Sequence, residues 1–359
     1  MKQFLCFSCE PWRPAPTRTQ QLLSRMREAE ILFFEPPAPG GGTRKPGRKV
    51  RPGLTVYTLP PILEVEERHA YLFRRNQAKL SRFVEEKMAR HRFREPSLWL
   101  TDPHQVHLLD YLAYRGLVYD CDRDWTHLPL RWESDLALAA DVIFAASPGL
   151  RHHLAPCNDN IAILPNGVNH LMFTRPNAEC PRELAGIPGP VLDYCGVVWE
   201  DLDLAPVATA AGELPGCTFV FLGRVEDGPM VRHLKRFPNV RFLGRRPPVE
   251  VPDYLARFDV CLNLQRWSEQ YDDIIPTRVY EYLSSGKPTV SMFYPEQVEH
   301  FPDVVYGAHS PEEFARLCRR ALAETGDWAR LRRQEHGASA AWSVRAQQVT
   351  RILAAIGLY

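Results

Sequence analysis

Short apolar runs alternate with amphipathic helical stretches along nearly the whole chain, and this alternation limits the fold more than any motif. Residues 4–8, 31–34, 54–59, 98–101, 117–120, 142–146 and 161–164 read as strands. Helical periodicity separates them at 19–28 (Leu22, Leu23 and Met26 on one face), 64–91, near Val106 and at 133–140. The pattern then repeats, with strands at 191–195, 219–223, 240–244, 260–264 and 289–293 and helices at 205–213, 231–237, 251–258 and 277–285. Strands interleaved with helices imply parallel sheets with crossover helices. The expected fold class is therefore α/β, with two Rossmann-like domains whose parallel sheets face a central cleft. Between the early strands, 39–52 is rich in Gly, Pro and cations and reads as a loop.

A shift to Pro and polar residues at 174–190 places the domain boundary there. The division expected is 1–175, 176–337, and a last helix, 338–359, packing back on the first domain. The 44 basic and 43 acidic residues nearly cancel, which excludes a surface built for nucleic acid. No run of about 18 apolar residues occurs, and the opening apolar segment is too short for a signal peptide. Nine scattered cysteines, with only Cys6 and Cys9 in a Cys-x-x-Cys pair, read as buried thiols in a reducing cytoplasm rather than a zinc site.

Two common nucleotide signatures are missing. The first strand is followed by Cys9-Glu10-Pro11-Trp12, not a Gly-x-Gly-x-x-Gly turn, and no Walker loop is present. The informative stretch runs from Asp272 to Val290. Pro276 suits a helix start and Gly286 the residue past its end, with Pro288 forbidding continuation. A helix N-terminus at Ile275-Pro276-Thr277 offers backbone N–H groups to a diphosphate. Arg278 adds a bidentate cation, and Glu281, one turn further, has the chemistry to accept hydrogen bonds from two ribose hydroxyls. An ordinary amphipathic helix with a solvated Glu explains the same spacing.

The stretch resembles the donor-binding signature of retaining GT-B glycosyltransferases of the family 4 type (glycosyl transferases group 1), where two acids with seven residues between them precede a Gly-x-Pro-Val turn. Here it reads Asp273, seven residues, Glu281, then Gly286-Lys287-Pro288-Thr289-Val290. Other pieces follow in the family's order: Arg18-Thr19-Gln20-Gln21-Leu22, Glu35-Pro36-Pro37, 140–147, Pro165-Asn166-Gly167-Val168-Asn169, 237–244 and 253–260. The branch most similar contains teichuronic-acid-type and other cell-surface polysaccharide sugar transferases. Two departures stand out. Asp273 is one methylene shorter than the usual Glu, and Gly196-Val197-Val198-Trp199 lacks the Arg and Lys that commonly grip the diphosphate. The donor side implied is then Glu281, Arg278, Thr277, Ile275, Gly196 and Arg224.

His104 and Asp122 are the acceptor-side candidates, because Asp102-Pro103-His104 and Asp120-Cys121-Asp122-Arg123-Asp124 each follow a strand's carboxyl end. A loop histidine and helix-capping aspartates are the plain alternatives. With Asp273 these two complete the candidate catalytic set, and no metal or other cofactor is expected. Among the cationic stretches, 44–51 reads as a solvated loop or a contact for anionic lipid headgroups, and Arg316, Arg319, Arg320, Arg330, Arg332 and Arg333 as a solvated helix face. The resemblance implies transfer of a sugar from a nucleoside-diphosphate sugar to a hydroxyl of a glycan or lipid-linked acceptor, with retention. A non-catalytic scaffold of the same fold and a sugar-nucleotide epimerase are the rivals.

Overall fold

The computed structural model describes residues 2–37, 46–63, 69–174, 180–199, 202–266, 273–292, 300–301 and 303–359. The chain forms two compact units. The first comprises Met1–Pro165 and Ser343–Tyr359, the second Asn166–Trp342.

Among the described residues, the first unit's sheet has eight strands: β1 (Gln3–Phe7), β2 (Glu30–Glu35), β3 (Arg48–Arg51), β4 (Leu54–Thr58), β5 (Ser97–Leu100), β6 (Gly116–Cys121), β7 (Val142–Ala145) and β8 (Ile161–Ile163). Their order is β3-β4-β2-β1-β5-β6-β7-β8, parallel except for the β3–β4 pair. Chain order reverses direction at β1, so the gap between the ends of β1 and β5 is the topological switch point where such sheets open a ligand crevice. The helices are α1 (Arg18–Arg25), α2 (Ala70–His91), α3 (Leu130–Ala139) and α4 (Pro148–Leu154), with a 3-10 turn at Pro103–Leu108. Thr17 starts α1 through a reciprocal capping box with Gln20.

In the second unit, among the described residues, α5 (His170–Thr174) precedes a six-stranded parallel sheet of order β11-β10-β9-β12-β13-β14. These strands are β9 (Val191–Cys195), β10 (Thr218–Leu222), β11 (Val240–Gly244), β12 (Val260–Asn263), β13 (Thr289–Met292) and β14 (Val305–Ala308). Among the described residues its further helices are α6 (Ala205–Glu213), α7 (Pro229–Leu234), α8 (Val251–Leu255), α9 (Thr277–Ser285), α10 (Pro311–Leu322) and α11 (Trp328–Ser339), while the last helix, α12 (Trp342–Ala355), belongs from Ser343 onward to the first unit. The central strands are covered on both faces and are largely apolar: Phe219 and Phe221 of β10 join one core, Val220 and Leu222 the other. The switch point here lies between β9 and β12.

Several expectations need correction. Part of the supposed loop at 39–52 is the edge strand β3, antiparallel to β4, although 38–45 lie outside the described residues. Its Arg51 donates to the carbonyls of Leu23, Ser24 and Met26, satisfying the exposed end of α1. Arg333 is not on a solvated face: it is buried, paired with Glu324, and donates to Gly286 O at 2.9 Å. Compared with the expected boundaries at 175 and 337, the units divide at 165 and 342. The Pro165–Asn169 segment is held by second-unit partners, since Val168 N donates to Ala340 O at 3.0 Å and Trp342 N to Val168 O at 2.9 Å. The chain's last residues touch the first unit: Arg115 donates to Leu358 O, and Tyr359 lies against Phe4 and Lys2.

Candidate functional site

Helix α9 organises the second unit's site. Pro276 is the N-cap, one residue before the position the sequence suggested, and Gly286 ends the helix in the left-handed conformation. A proline cap carries no side-chain acceptor, and with Val279 N–H donating to Pro276 O at 3.0 Å, the amides of Thr277 and Arg278 are the ones left for a ligand. The helix start is fixed from behind. Asn166 donates to Ile275 O at 3.1 Å, His170 contacts Ser284 at 3.2 Å, and the Tyr282 hydroxyl accepts the Cys195 N–H at 2.9 Å. The first of these gives the Pro165–Asn169 motif a role, tying Asn166 to the residue before Pro276, and the last seats α9 against the end of β9.

Gly196 and Gly223 end β9 and β10 next to this helix. Their φ values are +154° and +155°, and a Cβ on Gly223 would stand 1.8 Å from Gly196 O, so the two backbones meet at a distance only glycine allows. The following loops pair through Val198 N to Arg224 O (2.8 Å) and Glu226 N to Val198 O (2.8 Å). Beside them the Arg278 guanidinium lies over the Tyr194 ring, 4.8 Å from its centroid, and donates to the Tyr194 hydroxyl. That hydroxyl in turn donates to Val197 O. Tyr194 thus holds Arg278 in one orientation by stacking and hydrogen bonding.

Glu281, three residues beyond Arg278, is half-buried. Burial raises its carboxyl to about 7, against the lowering effect of Arg278. Such a group is poised to gain from a ligand that brings hydroxyl donors. Thr277 is half-buried and Ile275 buried beside the helix start, while Asp273 lies in the turn before it. Arg224 is exposed and pairs with Glu226 at 2.8 Å. Ile275, Thr277, Arg278, Glu281, Gly196 and Arg224 therefore all lie in the second unit, as does Asp273.

His104 and Asp122 belong to the first unit. His104 is exposed in the 3-10 turn after β5, its backbone N–H donating to Asp102 and its ring 4.9 Å from that of Trp132. Asp122 is gripped by both Arg123 Nε (2.9 Å) and Nη2 (3.3 Å), and Arg123 reaches Glu10 as well. Asp124 accepts from Thr126 N–H and hydroxyl, and Asp120 from Arg18. Sequence reasoning missed Tyr194, Asn166 and Tyr282. Tyr194 stands two residues before Gly196 on the same strand, a spacing that could have flagged it.

Residues 205–351 match a sequence family described as Glycosyl transferase-like. TuaH of Bacillus subtilis (strain 168), whose name assigns it provisionally to teichuronic acid biosynthesis as a glycosyltransferase, is 25% identical over 343 residues, covering 86% of this chain and 85% of that protein. Among solved structures, HepE (Alr3699) of Anabaena in complex with UDP superposes with a TM-score of 0.74 at 16% identity, covering 99% of this chain and all of that one. The chain has the GT-B fold. Sucrose-phosphate synthase of Thermosynechococcus elongatus also matches at TM-score 0.74, with 13% identity and 99% of both chains covered. The resemblance to group 1 glycosyl transferases read from the sequence is borne out, and with it a transferase as the enzyme class. Among the described residues, no helix is long and apolar enough to cross a membrane.

Proposed function

We propose that this GT-B protein moves a sugar from a nucleoside-diphosphate sugar, bound by the second unit, to a hydroxyl of a glycan or lipid-linked acceptor bound by the first. Retention of anomeric configuration and a role in cell-surface polysaccharide synthesis are part of the proposal. The observation that carries it is α9 at the β9/β12 switch point, with an uncapped first turn, Arg278 held on Tyr194, and Glu281 one turn on. The names of TuaH and of HepE with UDP support the same substrate class.

The chemistry follows from charge. As the bond from sugar to diphosphate breaks, negative charge grows on the leaving oxygen, and the Thr277 and Arg278 amides together with the Arg278 guanidinium stabilise it in this reading. Glu281 accepts from the ribose hydroxyls and fixes the nucleotide. The acceptor hydroxyl attacks from the leaving group's side and gives its proton to a diphosphate oxygen, so the chain need supply no strong base. His104 then orients the acceptor, and Asp122, already committed to Arg123, contributes through that pair. No metal enters this scheme. The cytoplasm is the proposed setting, and the nine cysteines, all free thiols, suit it.

The test is a nucleotide-sugar panel, led by uridine diphosphate sugars, with crude lipid and glycan acceptors and release of free nucleotide as readout. Turnover on one donor–acceptor pair supports the transferase. Tight UDP binding without turnover on any acceptor would favour the scaffold reading, which the missing cations after Gly196 recommend.

A further inference from the structure

Arg18 and Asp120 lie together in the first unit with three of their polar atoms unsatisfied. Arg18 opens α1 and Asp120 is the penultimate residue of β6, 102 positions away, yet Arg18 Nε donates to Asp120 Oδ1 at 3.0 Å with side-chain exposures of 4% and 1%. Arg18 Nη1, Arg18 Nη2 and Asp120 Oδ2 are buried without a hydrogen-bond partner. The Trp99 indole faces the carboxylate but does not complete a hydrogen bond. Buried charged groups left in this state are costly, so the arrangement calls for something to meet them.

Place and chemistry narrow the choice. α1 follows β1, and Asp120 lies near the carboxyl end of β6, the strand next to β5, so the pair lies beside the sheet's switch point, where α/β sheets bind ligands. Cys9, Asp102 and Asp122, at the carboxyl ends of the same three strands, are half-buried, so the pair sits just beneath the rim. The pair is neutral and offers donors next to an acceptor. An anion would add a second negative charge around one buried guanidinium. A hydroxyl group instead accepts from Nη–H and donates to Oδ2, and two adjacent hydroxyls of a sugar ring satisfy all three atoms.

We propose that Arg18 and Asp120 form a hydroxyl-recognition pocket for a neutral sugar in the first unit. This rests on the transferase reading and assigns the pocket to the acceptor. Its residues are specificity determinants: they touch the acceptor's hydroxyls and select a neutral ring over a charged one.

The test uses the full chain saturated with UDP and a panel of methyl glycosides (gluco, galacto, manno and N-acetylgluco), with inorganic phosphate and glucuronate as anionic arms, followed by saturation-transfer NMR. At least one neutral glycoside should bind the wild type, and Arg18→Gln and Asp120→Asn should each weaken it tenfold or more without changing UDP affinity. Should either variant fail to fold by circular dichroism, the double variant Arg18→Gln/Asp120→Asn, a neutral amide pair, carries the comparison. Unchanged glycoside affinity in folded variants, no glycoside bound by the wild type, or preference for phosphate or glucuronate would each overturn the proposal, leaving an internal water site or an anion site. Wild type that fails to bind UDP refutes the donor assignment instead, and the glycoside comparison is then made without nucleotide.

Discussion

Replacing Glu281 by glutamine keeps the side chain's size and removes its charge, and the structure sets the size of the effect. Hydrogen bonds to a charged acceptor are worth about 1.5–3 kcal/mol and neutral ones about 0.5–1.5. Two ribose hydroxyls should therefore cost about 2 kcal/mol, or about thirtyfold in nucleotide affinity at pH 8. A pH dependence should accompany it. With the carboxyl at about 7, only about a tenth of the wild type is ionised at pH 6, so affinity should fall about tenfold between pH 8 and 6. UDP-glucose is the ligand to use in calorimetry, because a terminal phosphate titrates near pH 6 and a diester does not.

The same substitution should act oppositely on stability. Glu281 is raised in the fold from an ordinary 4.5, so its contribution is fully present below 4.5 and lost as pH rises through about 7. Without ligand at pH 8, Glu281→Gln should then melt higher, by about 2 kcal/mol after allowing for its partial exposure. Unchanged affinity with an unchanged pH profile would refute the reasoning and make α9 a structural helix only.

Three further outcomes are expected. Asp193 on β9 is fully buried, accepts from Cys195 Sγ, and burial pushes it to about 7; wild-type stability should decline as pH rises from 4 to 7, and Asp193→Asn should flatten that decline, by at most about 4 kcal/mol in chemical denaturation. Gly337→Ala would bring a Cβ within 2.8 Å of Ser284 N, so α11 and α9 must part, lowering stability by about 1–3 kcal/mol and weakening UDP binding in the same preparation. Chelation with EDTA should barely change turnover; complete loss restored by magnesium would show that a metal carries the leaving-group charge.

What the sequence revealed depended on how local the cause was. The span 277–285 was legible to the residue because Pro276 and Gly286 punctuate it and Pro288 forbids extension. Burial on both faces made the parallel strands stand out as apolar runs. The edge strand Arg48–Arg51 did not, since three cations on an exposed edge mimic a loop. Arg333 looked like its neighbours at helical spacing, yet its partners Glu324 and Gly286 lie 9 and 47 residues away. The Arg18–Asp120 and Arg278–Tyr194 pairs are equally invisible in one dimension, because sheet order alone brings them together.

The departure after Gly196 concentrates the diphosphate problem on one residue. Where related sequences place cations, this chain puts Val197, Val198 and Trp199, and the loop's backbone is spent pairing with the loop after β10. Arg224 on that second loop is an exposed cation already paired with Glu226, an arrangement worth at most about 1 kcal/mol and screened by salt. Arg278 differs: its guanidinium is stacked on Tyr194 and therefore oriented before any ligand arrives. Two charge-assisted bonds from such a fork amount to about 3 kcal/mol, so Arg278→Ala should weaken UDP about a hundredfold and leave uridine nearly unaffected. Tyr194→Phe, which keeps the ring and removes the hydroxyl partner, should cost a small part of that, whereas Arg224→Ala should change UDP affinity less than threefold. Equal losses from Arg224→Ala and Arg278→Ala would mean that the exposed cation meets the phosphate as much as the oriented one, and the site built on α9 would have to be redrawn.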